Sequence, residues 1–154
     1  MKLRRKWVIV VDCAAVALLA AVAWFAAGPS PRTNPLPSES PSHTIELNGM
    51  PANSAGTYDM RDVPEPEIEI EMGTFFFSPT VVIMERGVGQ ILIELGNETG
   101  EEHSFTSKAL GVDRVVAPLK VARFLVRIPD EPGTYLFFCR FHADQGMRGA
   151  IRVV

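Results

Sequence analysis

Apolar and polar side chains alternate one for one in EIEIEM, where Ile68, Ile70 and Met72 stand against Glu67, Glu69 and Glu71. Successive side chains of a strand point to opposite faces, so this period of two predicts a strand with one dry and one wet face. Runs rich in β-branched and aromatic residues follow: TFFFS, TVVIME, QILIEL, RFLVRI, TYLFFC and GAIRVV. Turn formers punctuate them at Ser78-Pro79, Arg86-Gly87, Gly96-Asn97 and Asp130-Glu131-Pro132-Gly133. Six or seven short strands without a long amphipathic helix predict an all-β, antiparallel Greek-key sandwich. SKALGVDRV leaves room for one helical turn.

The start of the chain has a different pattern. Residues 7–27 are an apolar run interrupted only by Asp12, and Lys2, Arg4, Arg5 and Lys6 precede it. As a helix this run would be about 32 Å long, the thickness of a bilayer's hydrocarbon core. The basic flank predicts a transmembrane or signal helix with its amino terminus in the cytoplasm. The rest of the chain then lies on the extracytoplasmic side, in the periplasm or at the cell exterior. Length favours an uncleaved anchor, with Asp12 near the interface. The sequence AVA at residues 21–23 offers a cleavage site, after which the protein would be secreted. Arg4-Arg5 is a partial match to a twin-arginine export signal. Residues 28–64 are rich in Pro, Ser, Asn and Gly and show no sustained apolar period, which predicts a disordered linker. One domain remains, residues 65–154, within the size range that folds alone.

Charge narrows the function. The net charge is −3 and no basic cluster occurs outside the apolar run's flank, so nothing points to nucleic acid. Of two cysteines, Cys13 falls in the apolar run, leaving Cys139 without an intrachain partner in the exported domain. A lone thiol in an oxidising compartment needs burial or a ligand. His142 lies three residues after Cys139 and Met147 five further on, giving C-x2-H-x4-M, while His103 stands in GEEHSF after a separate strand-like run. One thiolate, two imidazoles and a weak thioether are the donor set that suits copper in an electron-transfer site.

These segments, in order, resemble the cupredoxins, the small blue-copper proteins of the plastocyanin and azurin superfamily. The resemblance runs from IEIEMGTFFFSPTVVIMERG through NETGEEHSF to GTYLFFCRFHADQGMRGAIRVV. It implies one type 1 copper ion held by His103, Cys139, His142 and Met147, with both imidazoles ligating through Nδ1 and the Nε2 edge of His142 facing solvent. Ser104 is expected to hydrogen-bond across to the Cys139 loop, and Phe105, Phe138 and Phe141 to supply apolar packing that keeps water off the metal. Arg140 is placed either toward a partner or in plain solvent. The binuclear relative in oxidases needs a second cysteine four positions after the first, where this chain has Ala143. The many further histidines of multicopper enzymes are missing too, since the sequence has three.

The resemblance therefore implies a monomeric electron carrier rather than an enzyme, with a cytochrome or a membrane electron-transfer complex as redox partner. The glutamates of EIEIEM offer an acidic face to a basic partner, or a solvated strand face. Two other readings compete: a copper delivery or storage module without redox cycling, and an Ig-like interaction domain in which these residues only pack.

Overall fold

The computed structural model describes residues 40–63 and 67–154. The apolar run 7–27 and the first part of the expected linker lie outside them. Among the described residues no helix is long and apolar enough to cross a membrane.

The strands are β1 (His43–Leu47), β2 (Met50–Ser54), β3 (Thr57–Asp59), β4 (Glu67–Gly73), β5 (Phe76–Ser78), β6 (Val81–Met84), β7 (Gln90–Asn97), β8 (His103–Ser107), β9 (Val112–Val116), β10 (Val121–Arg127), β11 (Gly133–Phe138) and β12 (Arg148–Val153). They form two six-stranded sheets. Sheet A has the order β1-β2-β5-β4-β7-β10, and sheet B the order β3-β6-β12-β11-β8-β9. The all-β class agrees with the alternation in the sequence.

Period two places the core. Ile68, Ile70 and Met72 of β4 and Ile91, Ile93 and Leu95 of β7 point inward at full burial, and meet Phe105, Phe137, Ile151 and Val153 from sheet B. Each such side chain contributes about 1.5–3 kcal/mol relative to exposure. Phe77, Phe105 and Phe137 form a ring cluster, with Phe105 and Phe137 stacked at 4.4 Å between centroids.

The sandwich is mixed rather than antiparallel throughout. β4 pairs with β7, β6 with both β3 and β12, and β2 with β5 in parallel. Crossovers between the sheets bring strands distant in sequence together running the same way, which alternation along one strand cannot reveal.

The expected linker is also corrected. Residues 43–59, inside the 28–64 stretch, carry β1, β2 and β3. Leu47 and Ala52 bury with Val81 and Ala150 as a small second cluster, and Met60 joins the main core. No strand there buries more than two side chains, and β3 fully buries none, too few for a period to stand out from the surrounding Pro, Ser and Asn. SKALGVDRV holds a turn at residues 108–111 and then β9, with no helix.

Candidate metal centre

His103 opens β8 and Cys139 follows β11 directly. The chain then turns through His142 and a 3-10 turn, Ala143–Gln145, before Met147 leads into β12. Gly146 makes the reversal at φ 86°, a conformation glycine adopts without steric cost. Backbone bonds close the loop on itself. The Cys139 amide donates to the Met147 carbonyl at 3.0 Å, and the His142 carbonyl accepts from Gln145 and Met147 at 3.1 and 3.2 Å. The loop's conformation is thus fixed by its own backbone.

Three donor atoms converge. Cys139 Sγ lies 3.7 Å from His103 Nδ1 and 3.5 Å from His142 Nδ1, and the two Nδ1 atoms are 3.1 Å apart. A point equidistant from all three lies about 2.0 Å from each, the length of a first-row metal's bond to imidazole nitrogen. Among the described residues this is the one group of three such donors. Met147, fully buried in the same core cluster as Cys139, is joined to it through the backbone bond already described.

Each donor is oriented from behind. The Ser104 amide reaches Cys139 Sγ at 3.4 Å, and Ser104 Oγ accepts from the Arg140 amide at 2.9 Å, tying β8 to the loop. His103 Nε2 lies 2.9 Å from Thr99 Oγ1, which itself lies 2.9 Å from Asn97 Oδ1. With the Thr99 hydroxyl donating to Asn97, it accepts from Nε2–H, so Nδ1 keeps its lone pair for the site. Burial first, and the neighbouring His142 second, push the His103 pKa down to about 4. The ring is neutral at pH 7, as a metal ligand must be.

Buried Asn97 does more than hold Thr99. Its amide donates to the carbonyls of Glu101, Val116 and Ala117 at 2.8 to 3.1 Å, joining the loop before His103 to the β9–β10 connection. Asn53 braces the other side, donating to the Phe75 carbonyl at 2.9 Å and the Gln145 carbonyl at 2.8 Å. Its own amide donates to the Gly146 carbonyl at 2.9 Å. Sequence reasoning missed Asn53, because it lies in the stretch read as linker. Phe75 was missed as well: its ring packs 5.1 Å from His142.

The aromatic wall differs from expectation at two positions. Phe105 is fully buried. Phe138 lies on the outer face of sheet B, because strand alternation turns its neighbour Phe137 inward. Phe141 is 43% exposed, beneath the Arg140 guanidinium. Phe75 packs against His142, and Phe137 stacks on Phe105. Arg140 pairs with Asp113. The Nε2 edge of His142 meets a carboxylate, Glu101 Oε2, at 3.4 Å rather than open solvent.

This donor set, with three convergent atoms, a fully buried methionine in the same core cluster as Cys139 and the neutral imidazole of His103, fits a single type 1 copper ion. No curated protein sequence matches the chain. Solved structures do. The metal-binding domain of the Cu(I)-exporting P-type ATPase CopA of Streptococcus pneumoniae is 18% identical at a TM-score of 0.50, covering 64% of this chain and 95% of that one. A chain of a haem-copper terminal oxidase dimer is 14% identical at a TM-score of 0.50, covering 89% of each chain. Auracyanin A, a blue copper protein of Chloroflexus aurantiacus, is 16% identical at a TM-score of 0.47, covering 57% of this chain and 98% of its own. At these identities the likeness is one of fold. The family model described as cupredoxin-like domain matches residues 15–153, and the chain belongs to that family.

Proposed function

We propose that this protein is an exported, membrane-tethered carrier of single electrons, with His103, Cys139, His142 and Met147 as the ligands of its copper. The observation that carries the proposal is the triangle of Cys139 Sγ and two Nδ1 atoms at 3.1 to 3.7 Å. Bound there, copper supplies a one-electron Cu(I)/Cu(II) couple. The protein's part is to hold the donors in one arrangement for both oxidation states. The backbone-locked loop, the Ser104 bonds and the Asn97–Thr99–His103 chain resist movement of any ligand. Burial of Cys139, His103 and Met147 at 0 to 1% exposure excludes water. Tethering by the apolar run 7–27 would keep the domain near membrane-bound donors and acceptors, such as a cytochrome or an electron-transfer complex, and raise its effective concentration there.

The test is the visible spectrum of the full chain loaded with one equivalent of Cu(II), then treated with ascorbate and ferricyanide. An intense band that bleaches and returns supports the carrier. Copper binding without reversible cycling sinks it in favour of delivery or storage, and no copper binding favours an interaction domain. Cys139→Ser should abolish the band, and a surviving band would remove Cys139 from the ligand set.

A further inference from the structure

Outside the metal centre, the outer face of sheet B carries a cavity of about 460 Å³, bounded by the β1–β2 turn, the turn after β8, and strands β11 and β12. Met50, Leu136, Phe138 and Ala109 supply apolar walls, and Lys108 and Arg148 are its two charged lining residues. No carboxylate lines it. Phe138 and Arg148 are cross-strand partners, so the ring and the guanidinium stem project side by side. Arg148 donates one N–H to the Pro51 carbonyl, which fixes the group at the cavity. Neither cation forms an ion pair with a carboxylate among the described residues.

Volume and chemistry together select the occupant. The space equals roughly 15 waters of the bulk liquid, in the range of small-molecule sites. An aromatic ring matches the Phe138 ring and the polarisable Met50 thioether. Two uncompensated cations favour an anionic group on that ring, and a guanidinium binds carboxylates in a fork. We infer that this cavity is a binding site for a small aromatic carboxylate, its ring against Phe138 and Met50 and its anionic group between Lys108 and Arg148.

The inference is independent of copper and is tested on the full chain in lipid nanodiscs, with empty nanodiscs subtracted. The probe is 1-naphthoate, titrated by calorimetry beside its neutral analogue 1-naphthalenemethanol. We expect one saturable naphthoate site per chain and binding of the alcohol weaker by about tenfold or more, the scale of one charge-assisted pair. Lys108→Gln, at an exposed position, should weaken naphthoate by a similar factor, and Ala109→Trp should block it by filling the space. Circular dichroism confirms that both variants keep the sheet structure. Absence of a saturable site, equal binding of the alcohol, or wild-type binding by both variants would overturn the inference.

Discussion

Individual side chains divide into donors and the groups that aim them, and the two kinds differ in how readable they are. Cys139, His142 and Met147 announce themselves by spacing, since one loop between adjacent strands delivers all three. Asn53 and Phe75 carry no such signal. Their role arises only when β2 and the start of β5 come against the loop, and nothing in the local sequence encodes that approach. Asn53→Ala removes two side-chain hydrogen bonds to carbonyls. At about 1 kcal/mol each, the variant should be less stable by about 2 kcal/mol in urea unfolding of the metal-free protein, and should bind copper more weakly. Met147→Leu should keep the copper and raise its potential, because loss of the thioether disfavours Cu(II). A tenfold change in the relative affinity for the two oxidation states is about 59 mV for one electron, so voltammetry resolves the effect. An unchanged or lower potential would remove Met147 from the ligand set.

At the level of strands, β4 and β7 were legible because seven or eight alternating residues reveal a period. β8 and β9 were not distinguished: HSFTS is short and almost wholly buried, so it shows no alternation, and VDRVV is an exposed edge. β1 to β3 were lost in a composition typical of linkers. Their structural contribution is nevertheless specific. The β1–β2 hairpin covers Val81 and Ala150 on the outside of sheet B, and β3 extends that sheet beyond β6. A chain beginning at residue 65 would uncover these residues and remove Asn53. We expect it to unfold at lower urea than the full chain, by about 3 kcal/mol or more for the lost apolar burial. Equal stability would show that the hairpin is only laid on the sheet.

Across the whole molecule, charge is unevenly spread. Glu67, Glu69 and Glu71 share the outer face of sheet A with Glu94, which Arg123 partly neutralises. Glu71 is the costly member. Its Oε2 is buried without a hydrogen-bond partner, close against Gly96. Burial first, then a hydrogen bond with Glu69 and the charges of Glu98, Glu69 and Glu94, push its pKa up from 4.5 to about 7. The folded state therefore holds this proton more tightly than the unfolded chain. Below pH 4.5 the group is neutral in both states and costs nothing, whereas above pH 7 it is charged in both and the folded state bears the full penalty. Glu71→Gln should match the parent near pH 4.5 and exceed its stability by about 1 kcal/mol at pH 8, the shift being discounted for solvent screening. Parallel pH profiles for the two proteins would refute this assignment. The acidic face itself was legible in EIEIEM, but the strain at Glu71 was not, since it depends on β7 placing Gly96 opposite.

The parallel pairings have a kinetic consequence. β6 must find both β3 and β12, and β4 must find β7, before the two sheets are complete. Such non-local closure belongs to the slow end of single-domain folding, in milliseconds to seconds. Throughout that search the Cys139 thiol lacks the shelter it has in the finished fold, and an oxidant that reaches it first diverts the chain toward sulfenic acid or a mixed disulfide. The yield of copper-competent protein on refolding is therefore a race between strand pairing and thiol oxidation, and a reductant present during the search favours the fold.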